Sequence, residues 1–349
     1  MVINSIKGPW LIGGSGRSGK TTLVNLIDKS NNSIFGFPLE LLINVYDNEY
    51  VPNFRKNKNQ LCNEYINRTR YMDVERKIKK SLLDLIKSKE NKKKFLKIPE
   101  YITNSIQLID WIMSVYTQDM NCDTWAAFDL HPEFKYEKYS SFIDNLNLLV
   151  MIRDPREVIA EIIYWRGEPF SQKHRKRKFY HSLISWCLSI KITTKLIKRY
   201  PEKVQTIFFN NLVNRKKNEQ NKLDTYFKID SSLTNRTYNN IYYSYDQTEG
   251  HLLPSGGRSQ LLDKYELDMI NKICIPLLNE LGYVTDKEKS NIGEQMQYSL
   301  VEKIIIVLVN FNNYNFMRSL NEFIFFPNKS IKRKYENLKN IIRKKYLFS

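Results

Sequence analysis

Cysteine is scarce. The four residues, Cys62, Cys122, Cys187 and Cys274, are widely spaced in 349 and never form a CxxC pair. With no histidine nearby at ligand spacing, this excludes a disulfide scaffold and a structural zinc site, and free thiols are expected. Long apolar runs are missing as well. The longest strongly apolar stretch, Ile304 to Val309, is far short of the roughly 20 residues that a membrane span requires. Met1 to Trp10 is too short and too mixed for a signal peptide, so the expected location is cytoplasmic. Negative charge is the third deficit, with 37 Asp and Glu against 55 Lys and Arg and a formal net charge of +18. Such an excess points to an anionic partner. A background rich in Lys, Asn, Ile and Tyr throughout accounts for part of it without any function. What remains is a globular composition, 42% hydrophobic and 13% aromatic, which excludes disordered and collagen-like chains.

Strand and helix signals alternate along the chain. Pro9 to Gly13 is a short apolar run ending in glycines, and Leu23, Val24, Leu26 and Ile27 stripe a helix from Lys20 to Lys29. Leu146 to Ile152 predicts a second strand, with Pro155 suited to the first turn of the helix after it. Lys203 to Phe209 predicts a third strand, and Leu261 to Leu281 a late helix ended by Gly282. This alternation argues for a doubly wound, mostly parallel α/β sheet flanked by helices. The organisation read from it is an α/β domain over 1–286, with a helical, basic insertion at about 55–120, and a helical, basic C-terminal extension over 287–349.

The chemistry begins at Gly14-Ser15-Gly16-Arg17-Ser18-Gly19-Lys20-Thr21, which satisfies G-x-x-x-x-G-K-[ST] between a predicted strand and a predicted helix. Glycines let backbone N–H groups turn inward as an anion nest, and the helix N-terminus adds partial positive charge. Gly16, Ser18 and Gly19 shape that nest, Arg17 and Lys20 add cations, and Thr21 or Thr22 can donate a hydroxyl hydrogen bond. Something phosphorylated is expected here. In an ATP- or GTP-dependent phosphotransferase, Thr21 would bind Mg²⁺ and a second strand would end in a metal-holding Asp. The run ending Arg153-Asp154 can supply one, so a kinase remains an alternative at this point.

Further segments bear on that choice. Arg153-Asp154-Pro155-Arg156-Glu157-Val158 follows the second strand; Asp129-Leu130-His131-Pro132 precedes it; His251 to Arg258 leads into the late helix, which ends Leu281-Gly282-Tyr283. Together with the N-terminal loop, in this order, they resemble the sulfotransferase superfamily over about residues 8 to 285. The resemblance implies a P-loop-like fold and a sulfuryl donor, 3′-phosphoadenosine-5′-phosphosulfate (PAPS), leaving as adenosine 3′,5′-bisphosphate. It implies that the loop grips the 5′-phosphosulfate and that Arg153 and Arg258 grip the 3′-phosphate. It implies no metal. His131 matches the segment carrying the catalytic histidine, whose near-neutral pKa suits it to take the acceptor's proton; Glu133 and Asp129 are alternative bases. Arg17 and Lys20 would stabilise charge on the leaving group.

Two positions depart from the pattern. Glu161 stands where the family usually has a 3′-phosphate-binding Ser, so Glu161 must turn away, be neutralised by Arg156, or mark an altered site. Lys20 stands where the family usually has Thr.

The expected acceptor is a hydroxyl or amine, on a carbohydrate or another anionic or glycan molecule. The basic run Lys173 to Lys178 is read as a collar for it or as a solvated loop. Ile331, Tyr335, Leu338 and Ile342 fall on one face of a basic C-terminal helix, which either touches the inner face of a membrane or packs on protein. No nucleic-acid-binding module is recognisable, and oligomeric state is left open.

Overall fold

A computed structural model describes residues 8–30, 33–41, 43, 54–68, 70–73, 78–164, 172–214, 216–227, 258–282, 300–310, 320 and 324. Its elements begin with β1 (Trp10–Gly13), α1 (Lys20–Ser30), β2 (Ile34–Glu40), α2 (Phe54–Arg68), β3 (Arg70–Asp73) and β4 (Ile78–Ser81). Next come α3 (Lys89–Lys94), α4 (Ser105–Asp119), β5 (Thr124–Phe128), α5 (Tyr136–Ser140), β6 (Asn147–Ile152) and α6 (Pro155–Ile163). The last are α7 (Gln172–Arg199), β7 (Val204–Phe208), α8 (Phe209–Val213), α9 (Lys217–Phe227), α10 (Lys264–Glu280) and α11 (Leu300–Asn310).

Five strands form one parallel sheet in the order β2-β5-β1-β6-β7. The two-residue period of a strand sends neighbouring side chains to opposite faces, and each face must be covered. Trp10, Ile12, Ala126, Phe128, Leu149 and Met151 pack with Leu23, Val24 and Ile27 of α1 and with Leu223 and Phe227 of α9. The alternate residues Leu11, Trp125, Ala127, Leu148, Val150 and Ile152 join a larger core with α4, α6, α7 and α10. β1 is buried along its whole length, as a central strand must be.

Because the strands are parallel, their C-terminal ends share one edge. The chain leaves β1 toward β5 and β2 on one side and returns to β6 and β7 on the other, so the crevice at the end of β1 is a topological switch point. The N-terminal loop, the residues after β5, those after β6 and those after β7 all meet there.

The predicted strands and helices on this sheet are present, with boundaries moved by one to three residues. The late helix starts at Lys264 because Asp263 caps it, its side chain accepting from Glu266 N–H while the Glu266 side chain accepts from Asp263 N–H. Two expectations are corrected. Within the stretch read as helical, Ile78–Ser81 instead pairs antiparallel with Arg70–Asp73. Such short apolar-basic mixtures fit both periods, and the pairing decides. The basic run 173–178 is not a loop but part of α7. There Arg175 makes a fork to Glu266, at 3.1 and 2.6 Å, and its guanidinium lies 5.0 Å from the Tyr164 ring centre. The segment 251–257 and the predicted C-terminal helical face lie outside the described residues. Among the described residues no helix is long and apolar enough to cross a membrane.

Candidate anion-binding and catalytic site

The loop between β1 and α1 is shaped by backbone conformations that L side chains avoid. Gly14 has φ +110° and Gly19 φ +94°. A Cβ on Gly14 would stand 2.4 Å from Met151 O, and one on Gly19 would stand 2.5 Å from the Phe209 ring. Glycine is therefore required twice, by torsion and by space. Arg17 also adopts the left-handed region, at φ +64°. Gly16 meets nothing closer than Leu130, at 4.0 Å. Thr21 and Thr22 open α1 half-buried.

The cation of the loop turns inward. Lys20 Nζ donates to Gly14 O at 2.8 Å and Ser15 O at 2.7 Å. Burial pushes its pKa down to about 8, against the opposing pull of Glu133, Glu40 and Asp129. Glu40 ends β2, and burial raises its pKa while Lys20 lowers it. Ser18 is fully buried, and among the described residues its Oγ has no hydrogen-bond partner. A buried hydroxyl left unpaired is costly unless something outside the protein completes it.

The residues after β5 lie directly under the loop. Pro132 to Lys135 form a 3₁₀ turn that His131 enters at φ +53°. Glu133, only 1% exposed, joins three elements. Its Oε2 accepts from Gly14 N–H at 3.1 Å. Its Oε1 lies 2.9 Å from His131 Nδ1 and accepts from Ser189 Oγ of α7. Burial alone would raise its pKa, but the hydrogen bonds from His131 and Ser189 and the charge of His131 together hold it down to about 2. Asp129 is also buried, its Oδ1 accepting from Leu130 N–H at 2.8 Å and its own N–H bonded to Ile12 O. Glu133 is thus committed to holding the loop and the histidine in place.

From the end of β6, Arg153 reaches the loop. Its Nη1 donates to Arg17 O at 2.9 Å and to Glu161 Oε2 at 2.9 Å, while its guanidinium lies 5.1 Å from the Phe209 ring centre. Its buried Nε has no hydrogen-bond partner among the described residues. Glu161 Oε1 is 3.9 Å from Arg17 Nε, so one carboxylate sits between two arginines. The expected neutralisation of Glu161 by Arg156 is not what the structure shows: the carboxylate pairs with Arg153 instead. Arg156 is committed elsewhere, to Asp154 at 2.6 Å.

That pairing bears on the phosphotransferase alternative. Asp154 caps α6, its Oδ1 accepting from Arg156 N–H at 2.8 Å, and both its oxygens are engaged by the Arg156 guanidinium. The carboxylate that a metal-nucleotide enzyme would use is spent on a helix cap and an ion pair.

The structure therefore brings Arg17, Ser18, Gly19, Lys20, Arg153, Glu161 and His131 to one edge of the sheet. The chain is similar to solved sulfotransferase domains. One comes from the Synechococcus PCC 7002 olefin synthase, at 14% identity and TM-score 0.45, covering 89% of this chain and 97% of that one. Another is from the curacin biosynthetic pathway, at 15% identity and TM-score 0.41, covering 80% of this chain and 99% of that one. The sulfotransferase STF9 from Mycobacterium avium is similar at 8% identity and TM-score 0.36, over 66% and 68% of the two chains. No protein-family model and no curated protein sequence matches the chain.

Arg258 is less closely tied. It is exposed in a 3₁₀ turn, Arg258–Leu261, whose Ser259 N–H donates to Glu157 Oε1 at 3.3 Å. Glu157 and Glu161 lie one turn apart on α6, so this turn sits by the helical face that carries Glu161. Sequence reasoning missed Phe209, which fills the space above Gly19, and Ser189 and Glu40. Each is contributed by an element whose place beside the loop only the sheet order sets.

Proposed function

We propose that the chain is a sulfotransferase moving a sulfuryl group from an adenosine 5′-phosphosulfate carrier to a hydroxyl or amine of an acceptor. The motifs imply the 3′-phosphorylated carrier, PAPS. The observation carrying this reading is the glycine-shaped nest with a buried, unpaired Ser18 hydroxyl, flanked by Arg17 and Arg153. The residues present fit an anionic group: a glycine-shaped loop opening on a helix N-terminus, an unsatisfied hydroxyl and a guanidinium with an unpaired Nε.

When bound, the carrier supplies a sulfuryl group joined to a phosphate leaving group. Gly16, Ser18, Gly19, Thr21 and Thr22 hold its 5′ end, and Lys20 exchanges its two loop carbonyls for anionic oxygens. Arg153 and Arg258 lie toward the ribose side. Arg17 and Lys20 stabilise the charge that gathers on the leaving oxygens, a preorganised electrostatic contribution that is usually the largest one. His131 accepts the acceptor's proton. With Glu133 at Nδ1, the proton is taken up at Nε2.

A cavity of about 550 Å³ opens beside the Glu133 turn, lined among others by Phe134, Tyr136, Lys135, Lys138, Lys195 and Arg199. Glu133 and Glu137 share that lining, and Arg199 is paired with Glu137; what supports an anionic acceptor, such as an acidic carbohydrate or glycan, is the chain's formal net charge of +18. The test is transfer of radiosulfur from the carrier to a panel of carbohydrate, lipid and phenol hydroxyls, run beside labelled ATP with Mg²⁺. Sulfur label on an acceptor is expected. Phosphoryl transfer with no sulfuryl transfer would overturn the reading.

A further inference from the structure

The ribose side of the site carries an internal anion. Arg153 and Arg17 are the two guanidinium groups beside the loop, and Glu161 lies against both, at 2.9 and 3.9 Å. The group is not loosely held. The Arg153 and Glu161 side chains are 14% and 15% exposed, and Arg153 is braced further by Arg17 O and the Phe209 ring. Arg153 Nη1 is therefore already engaged by a carboxylate where a guanidinium would otherwise take a phosphate oxygen.

The two possible substituents on a ribose meet this arrangement differently. A phosphate monoester carries about −1.5 to −2 charges at neutral pH and offers acceptor oxygens only. Beside Glu161 it is repelled, and it must displace the carboxylate to reach Arg153 Nη1. A hydroxyl donates one hydrogen bond to a carboxylate and costs no charge. Dinucleotide-binding folds make the same choice, with an acidic residue for a ribose hydroxyl and an arginine for a ribose phosphate.

We infer that Glu161 sets carrier specificity, so that the preferred adenine nucleotide bears a free 3′-hydroxyl rather than a 3′-phosphate. This rests on the sulfotransferase reading and departs from what the motifs imply at one position. Glu161 acts by occupying Arg153, so it is a specificity-determining residue and not a base. Removing its charge frees Arg153 Nη1 for a second phosphate.

Adenosine 5′-monophosphate and adenosine 3′,5′-bisphosphate differ only in the group at issue, and calorimetric titration of the full chain with each reads the preference directly. The wild type is expected to bind the monophosphate at least as tightly as the bisphosphate. Glu161→Gln is expected to move the ratio of the two affinities at least tenfold toward the bisphosphate, and Glu161→Asp, which keeps the charge, to leave it close to wild type. A wild type favouring the bisphosphate tenfold, or a ratio unmoved in Glu161→Gln, overturns the inference and leaves the sulfotransferase reading in place. Binding of neither nucleotide by folded wild type overturns both. Should Glu161→Gln fail to fold, the wild-type ratio decides alone.

Discussion

The two anion-binding regions at the sheet edge are built on opposite plans. The loop after β1 is made of backbone: two glycines at positive φ beside an unpaired buried hydroxyl. The region after β6 is made of side chains, and its arginine already holds a counter-ion in Glu161. A backbone nest keeps its preference for anions as long as the fold holds, because no single side chain carries it. A side-chain clamp is retuned by one substitution. The first region therefore defines the chemistry, and the second defines which nucleotide receives it.

The sharpest way to break the comparison is at Lys20, the buried cation of that loop. Lys20→Ala should lower the sulfuryl-transfer rate by about a hundred- to a thousand-fold, the usual loss when a preorganised charge is removed. Measured with radiosulfur, an unchanged rate would strip Lys20 of its role and leave the fold untouched.

Gly14→Ala tests whether backbone shape is the requirement. The new Cβ would lie 2.4 Å from Met151 O at a φ of +110°, and a strained, overpacked site of this kind costs on the order of 2–4 kcal/mol. Denaturant titration should show that loss, and a wild-type midpoint would mean the loop relaxes freely.

Glu133 joins the loop to His131, and its contribution is read against pH. Folded, it stays ionised down to about 2, whereas its ordinary value is 4.5. Its stabilisation is therefore complete above pH 4.5 and lost as pH falls through 2, with a span on the order of 3 kcal/mol. Stability of Glu133→Gln should be lower than wild type at neutral pH and should fall less steeply between pH 4.5 and 2. Parallel acid-unfolding curves would show that the carboxylate is not held ionised.

The smallest effect belongs to the neighbouring arginines. Arg153→Ala should weaken nucleotide binding more than tenfold, but Arg156→Ala, whose partner is Asp154, should change it less than about twofold. Equal losses would erase the distinction between the arginine that meets the loop and the one paired with the cap of α6.

Legibility followed how local each signal is. The runs Leu146 to Ile152 and Lys203 to Phe209 read as strands because they are apolar and bounded by polar residues. β2 did not, since Ile34–Glu40 contains Gly36 and Pro38, which read as breakers. β5 did not, since Thr124–Phe128 is short and its centre is two alanines. The β3–β4 pair was read as helix because partners, not residues, distinguish the two periods over four positions. In the same way Glu161 was visible as a departure, but its neutralisation by Arg153 rather than Arg156 was not, because both arginines are within reach along the chain.

By itself the order of residues determined the glycine loop, the helix that opens on it and the arginine at the end of a buried strand, since torsions and apolar runs act over a few neighbours. Only the tertiary structure decided that β5 lies beside β1. That placement puts Glu133 under Gly14 and hands it His131 and Ser189, because which strand ends share an edge depends on how the whole sheet covers its two apolar faces.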